Sequence, residues 1–246
     1  MKKILWRVLI LFFVVMNLEM TASENLFAKD IHIAIIDSGA TGYVDFGKSF
    51  TSFPANSDPL NHGTYIAKLI RSANPHAQIT MLQVCTKERG QLKPSRSAIL
   101  KAIQWAVDND IDVVNMSLVV KYDQAIEKAI VEASTSHGVL FVAAAGNKTI
   151  ASRFATDSSG YIRRTKRSAK PAFPASSPHV ISVGSIDNYG KITSYSDKNC
   201  DVYANGEIIG QKGTSFSSAR ITAKVAKILS DYPYSSAQEV LAYLKS

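Results

Sequence analysis

The sequence predicts an α/β protein with a mostly parallel central sheet and helices on both of its faces. From Ile31 to Lys170, short apolar segments typical of buried strands alternate with longer segments whose apolar residues recur every three or four positions. The chain has 246 residues, 46% of them hydrophobic and 20% charged, which suits one globular domain with a sizeable core. No internal repeat or low-complexity segment interrupts this pattern.

The predicted strands are nearly continuous apolar runs of the kind found in sheets that are covered on both faces. They are Ile31 to Ile36, Gln78 to Val84, Ile111 to Leu118, Val139 to Ala144 and His179 to Val183. The segment from Thr41 to Leu60 is rich in Gly, Ser, Pro and Asn, so we expect a surface loop there.

The predicted helices are marked by apolar periodicity together with signals at their ends. One begins at His62, one is capped by Ser95, one ends at Gly138, one follows Gly213, and the last begins with a capping box from Ser236 to Glu239.

The first 23 residues have the features of a secretory signal peptide. Lys2, Lys3 and Arg7 precede the apolar run from Val8 to Met16, and Thr21-Ala22-Ser23 offers the small residues that a signal peptidase accepts. The apolar run is shorter than the roughly 18 residues of a membrane span, although an uncleaved anchor is the alternative. We therefore expect residues 24–246 to form one secreted or periplasmic domain that leaves the membrane after cleavage.

The formal net charge of +8 raises the question of a nucleic-acid partner. Part of the positive charge belongs to the leader, and part to the cluster Arg163-Arg164-Thr165-Lys166-Arg167 with Lys170. Because no aromatic residues are interleaved with this cluster, we interpret it as a solvated or protease-sensitive loop and expect no nucleic-acid binding. Cys85 and Cys200 are the only cysteines, and the sequence leaves a disulfide between them open.

Two motifs place an acid and a base at the ends of predicted elements. Asp37-Ser38-Gly39 follows the first strand, where open α/β sheets place ligands, although a plain turn is the alternative. His62-Gly63 opens a helix, and Gly63 allows another backbone to pack closely, as a crowded site with a general base requires. A polar helix start is the simpler interpretation of His62.

A serine lies at the start of the helix that follows Gly213. Ser215 is in its first turn, where free N–H groups favour an alkoxide or an oxyanion. The simpler interpretation is that Ser215 only caps the helix. The other histidines have no metal-ligand spacing, and we expect structural or solvated roles for them. They are His32, His76, His137 and His179.

Five motifs occur in the order found in the subtilisin-like serine proteases, and the chain resembles this family from about Ile31 to Leu229. The motifs are Asp37-Ser38-Gly39, His62-Gly63-Thr64 with Ala67, Asn115-Met116-Ser117-Leu118, Ala143-Ala144-Ala145-Gly146-Asn147 and Gly213-Thr214-Ser215. The order Asp, His, Ser is the known order of that family. The resemblance implies a three-layer subtilisin-like fold.

The resemblance also implies roles for individual residues. Ser215 would be the nucleophile, His62 the general base and Asp37 the carboxylate that orients the imidazole. The Asn147 amide and the N–H of Ser215 would form the oxyanion hole. The implied substrate cleft is lined by Ser117, Leu118, Val119, Ala145 and Gly146.

The sequence departs from the family pattern at two places. The family usually has proline four residues after the nucleophile, where this chain has Ala219, followed by Arg220 where a small residue or histidine is common. Two glycines usually follow the cleft motif, where this chain has Val119-Val120. We expect these β-branched residues to point to opposite faces, so that at least one of them crowds the cleft, unless a loop shift carries both away.

The segment between the expected cleavage site and the first strand is too short for the long propeptide and the N-terminal calcium segment common in the family. We therefore expect no propeptide, and folding that is unaided or assisted by a partner in trans. We expect no cofactor, and no calcium or other metal site can be recognised in the sequence.

The function predicted from the sequence is a secreted serine endopeptidase that acts on polypeptides. A catalytically weak or inactive domain that binds peptides or a partner protein is the alternative. An esterase of the α/β-hydrolase class is disfavoured because the chain has no Gly-x-Ser-x-Gly motif and the wrong residue order.

Overall fold

The computed structural model describes residues 29–88, 90–148, 154–156, 162–164 and 170–246. The predicted signal peptide, residues 1–23, lies outside them. Five helices are present in the described residues. They are α1 (His62–Ala73), α2 (Arg96–Asp108), α3 (Gln124–His137), α4 (Thr214–Asp231) and α5 (Ala237–Lys245).

Seven parallel strands form the central sheet, which confirms the predicted fold class. In chain order they are β1 (His32–Asp37), β2 (Phe46–Ser49), β3 (Gln78–Gln83), β6 (Val113–Met116), β7 (Leu140–Ala144), β10 (Val180–Ile186) and β11 (Val202–Asn205). Across the sheet their order is β11-β10-β7-β6-β1-β3-β2.

Three small antiparallel hairpins lie outside this sheet. They are β4 (Cys85–Glu88) with β5 (Gln91–Pro94), β8 (Phe154–Thr156) with β9 (Ile162–Arg164), and β12 (Glu207–Ile208) with β13 (Gln211–Lys212).

The two faces of the sheet bury separate cores. Along β1, Ile33 and Ile35 pack towards α1, α4 and α5, whereas Ala34 and Ile36 pack towards α2 and α3. This alternation follows from the two-residue repeat of a strand, and it explains why the strands are apolar at consecutive positions. No helix among the described residues is long and apolar enough to cross a membrane.

Of the three predicted capping signals, Ser95, Gly138 and the Ser236–Glu239 box, two agree with the structure. Ser236 and Glu239 form the predicted capping box, and Gly138 ends α3 in the left-handed conformation, with φ of 70°. Ser95 lies at the cap position of α2, but its side chain makes no capping hydrogen bond. Its hydroxyl lies 3.2 Å from that of Ser97 instead.

Two segments expected to be loops contain strands. The polar stretch from Thr41 to Leu60 contains β2, which pairs with β3 at the sheet edge, so the loop prediction was wrong for Phe46–Ser49. The sequence pattern did not predict this strand because its residues are mostly exposed and so do not form the apolar run of a buried strand. Part of the basic cluster, Arg163 and Arg164, belongs to β9, whereas residues 165–167 lie outside the described residues.

Candidate active site

The carboxyl edge of the sheet brings together the residues singled out in the sequence. Asp37 ends β1, Ser117 follows β6, and Asn147 lies three residues beyond β7. Helices α1 and α4 begin at this edge, with His62 and Ser215 in their first turns. Parallel strands place their carboxyl ends side by side, which is why residues distant in the chain meet here.

Asp37 and His62 form a directly bonded pair. The imidazole Nδ1 lies 2.8 Å from Asp37 Oδ1 and 3.0 Å from Oδ2, so the ring donates from Nδ1 to the carboxylate. Asp37 is buried, at 3% exposure, and Oδ1 also accepts the backbone N–H of Ser38 at 2.7 Å. This arrangement fixes the tautomer and leaves Nε2 free to accept a proton.

The Asp37 carboxylate also changes the acidity of the imidazole. Its negative charge is the largest influence and raises the pKa of His62 above the ordinary value of 6.5, against the opposing effect of burial. The hydrogen bond to Asp37 and the charge of Asp58 act in the same direction as the Asp37 charge. His62 is therefore a stronger base than an exposed histidine.

Gly63 permits close contact between the segments that carry this pair. A Cβ at position 63 would lie 2.2 Å from the carbonyl oxygen of Gly39 and 3.3 Å from Cβ of Asp37. Only glycine fits there without moving the backbone, which agrees with the close approach expected from the sequence.

Ser215 lies two residues after the cap of α4, since Gly213 occupies the cap position. The interpretation of Ser215 as the helix cap was therefore wrong. Its N–H belongs to the first turn, where backbone donors have no partner within the helix. The neighbouring ring of Phe216 lies 6.3 Å from the His62 ring, measured between centroids.

The Ser215 hydroxyl forms its hydrogen bond with Ser117 and not with the imidazole of His62. It donates to the carbonyl oxygen of Ser117 at 3.2 Å, and the Ser117 hydroxyl lies 3.0 Å from the carbonyl oxygen of Ser215. Among the described residues, no hydrogen bond joins Ser215 to His62. Such a bond often forms only when substrate is present.

Asn147 is held at the start of α4 by its amide oxygen. Oδ1 accepts the N–H of Thr214 at 2.9 Å and its hydroxyl at 3.2 Å. The same threonine oxygen accepts the N–H of Gly146 at 3.2 Å. The amide nitrogen lies 3.0 Å from where a Cβ of Gly213 would be, so a glycine at this position leaves it room. These bonds occupy the amide oxygen of Asn147 and fix the orientation of its NH₂ group.

Val119 lies beside the glycine of the predicted cleft. Its side chain is 46% exposed, and its Cγ2 is 3.4 Å from where a Cβ of Gly146 would be. Gly146 has φ of 93°, which favours glycine. Val120 and Leu118 pack against the core on the α2 and α3 side. The two valines thus differ in exposure, and Val119 lies next to Gly146.

The other predicted cleft residues are held at the same edge. Ala145 is buried. Its N–H donates to the carbonyl oxygen of Val183 at 2.9 Å, and its carbonyl oxygen accepts the N–H of Ala172 at 3.0 Å. The N–H of Val120 donates to Phe173 at 3.0 Å. The loop after β6 and the segment after β7 are therefore both fixed by backbone bonds to the 172–173 segment.

The described residues contain no group of three or more His, Cys, Asp or Glu side chains placed to hold a metal ion. Cys85 and Cys200 are both free thiols in the structure. Burial raises the pKa of each to about 12, with smaller contributions from nearby carboxylates. Both are therefore neutral thiols at neutral pH.

Asp58 is a buried residue of this site that the sequence interpretation missed. It is 5% exposed, although it lies in the segment expected to be a surface loop. One oxygen accepts the hydroxyl of Ser38 at 2.8 Å, and the other accepts both the N–H and the hydroxyl of Thr64. An acidic residue shortly before a helix is a known capping signal, and it could have drawn attention to Asp58.

The chain is similar in sequence to known proteins. The model of the Subtilase family matches residues 28–246. Subtilisin amylosacchariticus of Bacillus subtilis subsp. amylosacchariticus is 29% identical over 240 residues, which is 86% of this chain and 58% of that protein. Subtilisin DY of Bacillus licheniformis is 28% identical over 251 residues, covering 91% of this chain and 85% of that protein.

A solved structure, titled Crystal Structure of a Lanthipeptide Protease, has the same fold. It matches with a TM-score of 0.70 at 23% identity, over 88% of this chain and 79% of that one. The chain spans 58% of the length of several subtilisins that it matches, including subtilisin E of Bacillus subtilis (strain 168). Since the family model covers most of the sequence, this chain belongs to the subtilase family.

Proposed function

We propose that the protein is a secreted serine endopeptidase that hydrolyses peptide bonds through an acyl-enzyme. The observation that carries this proposal is the bonded Asp37–His62 pair at the sheet edge where the helix of Ser215 begins. A serine hydroxyl is a weak nucleophile at neutral pH, and an oriented imidazole with a raised pKa is the base that it requires.

In the proposed reaction, the Ser215 hydroxyl first leaves the Ser117 carbonyl and turns to His62 Nε2. As its oxygen attacks the substrate carbonyl, the proton moves to Nε2, and Asp37 stabilises the imidazolium through Nδ1–H. The imidazolium then gives this proton to the departing amine, which leaves an ester on Ser215. Water, deprotonated by His62, hydrolyses the ester and regenerates the hydroxyl.

The tetrahedral intermediates carry a negative oxygen that needs preorganised donors. The NH₂ group of Asn147 would be one donor, because its amide oxygen is already occupied by Thr214. The N–H of Ser215, in the first turn of α4, would be the second. Both groups belong to segments held by hydrogen bonds before any substrate arrives.

An extended polypeptide is the proposed substrate. It would lie along the loop after β6 and the segment after β7, which carry Ser117, Leu118, Val119, Ala145 and Gly146, and add its backbone to them as an extra strand. Val119 is the exposed side chain beside Gly146, so it would narrow the space for large substrate side chains. We propose export through the leader, with no cofactor, nucleic acid or membrane partner for the mature protein.

Two observations favour a second candidate, a subtilase-like domain that binds peptides without cleaving them. The nucleophile candidate is bonded to Ser117 rather than to His62, and a valine flanks the cleft. A domain that held Ser215 permanently in this arrangement would keep the fold and the cleft but lose the reaction.

The test is to incubate the purified mature protein with a peptide library and to identify cleaved bonds by mass spectrometry, with Ser215→Ala as the matched control. We expect cleavage by the wild type that the control lacks. A folded wild type that binds library peptides and cleaves none of them would contradict the proposal and favour the binding domain.

A further inference from the structure

The end of β1 and the start of α1 are joined by a second buried carboxylate that belongs to neither element. Asp58 Oδ1 accepts the Ser38 hydroxyl at 2.8 Å, and Ser38 directly follows Asp37. Asp58 Oδ2 accepts the N–H and the hydroxyl of Thr64 at 2.8 and 2.7 Å, and Thr64 lies two residues after His62. The two oxygens thus hold the neighbours of both members of the Asp37–His62 pair.

In α1, which carries His62, the residue at the N-cap position makes no capping hydrogen bond. Asn61 occupies the cap position in the left-handed conformation, with φ of 54°, and its side chain makes no capping bond. Asp58 supplies the missing acceptor to the N–H of Thr64, and the Ser38 oxygen lies 3.4 Å from the N–H of Gly63. The first turn of α1 is therefore capped by Asp58 and Ser38, and Ser38 also contacts Asp37.

The Ser38 hydroxyl faces two carboxylates but carries one proton. Its oxygen is 2.8 Å from Asp58 and 3.1 Å from Asp37. When the hydroxyl donates its hydrogen bond to Asp58, Asp37 Oδ1 keeps only the Ser38 N–H and the His62 Nδ1–H as donors. A carboxylate with fewer competing donors binds an imidazolium more strongly, so Asp58 favours the pairing that the reaction needs.

We propose that Asp58 is a positioning residue for the reaction. It fixes the orientation of His62 against Asp37 in two ways: it caps α1, and it accepts the hydrogen bond that the Ser38 hydroxyl could otherwise donate to Asp37. It acts through Ser38 and Thr64 and does not touch the substrate. The kinetic part of this inference rests on the proposed function, whereas the state of the imidazole can be measured without it.

The charged groups that act on His62 can be named for each neighbouring segment. They are Asp37 from β1 and Asp58 from the loop before α1. Helix α4 contributes the uncharged ring of Phe216, and β4 contributes the neutral thiol of Cys85 close to both carboxylates. Replacing Asp58 by Asn removes one of the two negative charges and leaves the other in place.

The first experiment measures the His62 titration by NMR in a Ser215→Ala background, with the His62 signal assigned by its loss in His62→Gln. We expect Asp58→Asn to lower the pKa of His62 and Asp110→Asn, an exposed carboxylate at the other end of the sheet, to leave it unchanged. An equal His62 pKa in the Asp58→Asn and parent proteins would overturn the proposal, whether or not the wild type is a protease.

The second experiment measures kcat and KM on a peptide substrate in otherwise wild-type protein. We expect Asp58→Asn to lower kcat by about tenfold to a hundredfold with little change in KM, since misplacement of a catalytic group has effects of this order. Thr64→Val keeps the Asp58 charge and removes one of its donors, so it should lower kcat severalfold. A Thr64→Val protein with wild-type kcat would overturn the positioning role even if Asp58→Asn fails to fold.

Discussion

The two halves of the candidate active site differ in how completely they are assembled. In the Asp37–His62 half, a buried carboxylate, a bonded imidazole and the cap from Asp58 form one continuous network. In the Ser215 half, the hydroxyl is bonded to Ser117, and Val119 lies exposed beside Gly146. In the proposed mechanism, the Asp37–His62 pair is already bonded, whereas the Ser215 hydroxyl would have to rotate before it could react.

The departures from the family pattern fall in the less assembled half. Val119-Val120 borders the cleft, and Ala219-Arg220 lies on the helix of Ser215. The Nε of Arg220 is buried with no hydrogen-bond partner among the described residues, and its Nη2 is 3.4 Å from the carbonyl oxygen of Glu207. Changes in the first half should therefore affect the chemistry itself, whereas changes at Val119 and Val120 in the second half should affect which substrates reach it.

The largest expected effect is that of removing the nucleophile or the base. Ser215→Ala and His62→Ala should each lower kcat by about 10⁶-fold, the scale known for a subtilisin triad, because the members act as a unit. The double variant should be no worse than either single variant. Steady-state rates on one peptide substrate test this, and additive losses would show that the two halves work independently.

Next in size is the loss of the oxyanion donor in the Ser215 half. Asn147→Ala should lower kcat by about 10²–10³-fold, the magnitude known for this donor in subtilisin, with KM nearly unchanged. Thr214 loses its amide acceptor in the same variant, so circular dichroism should accompany the kinetics to show that α4 is intact. Wild-type kcat in a folded Asn147→Ala protein would remove Asn147 from the proposed mechanism.

The pH dependence tests the Asp37–His62 half. Only neutral His62 can accept the serine proton, and its pKa is raised above the ordinary 6.5, mainly by the charge of Asp37. Activity should therefore be full above the raised pKa and fall about tenfold per pH unit below it. The midpoint of the fall in kcat/KM on the acid side should lie above pH 6.5. A midpoint below pH 6.5 would contradict the raised pKa of His62.

The smallest expected effect concerns the cleft. The wild type should cleave casein poorly and prefer small residues before the scissile bond, because Val119 narrows the space at Gly146. Val119→Gly with Val120→Gly should broaden this preference severalfold and leave the reactivity of Ser215 towards a small phosphonate nearly unchanged. A peptide-library profile that is already broad in the wild type would show that Val119 does not restrict the cleft.

The sequence was most informative where chemistry and local structure coincide. Asp37, His62 and Asn147 could be proposed as site residues because each stands in a short motif at a strand end or helix start, and the sheet brings these motifs to one edge. β2 was not predicted because its residues, Phe46–Ser49, are mostly exposed and do not form an apolar run. Asp58 was hidden because its partner Ser38 is 20 residues away, and a bond of that separation leaves no periodic signal.

The orientation of Ser215 could not be predicted from any motif. Its acceptor is a backbone carbonyl 98 residues earlier in the chain, and every residue type has such a carbonyl. Strand geometry predicted that Val119 and Val120 point to opposite faces, but both residues lie beyond the end of β6, and the contact of Val119 with Gly146 depends on how two separate loops are held by the 172–173 segment.

The most direct test of the central claim, that a preorganised Asp37–His62 pair activates Ser215, is reaction of the purified mature protein with a serine-directed phosphonate, followed by mass spectrometry. We predict that the wild type forms one adduct, on Ser215. The Ser215→Ala protein should form none, and the His62→Ala protein should form it much more slowly. A folded wild type that remains unlabelled, or one labelled as quickly without His62, would contradict the account.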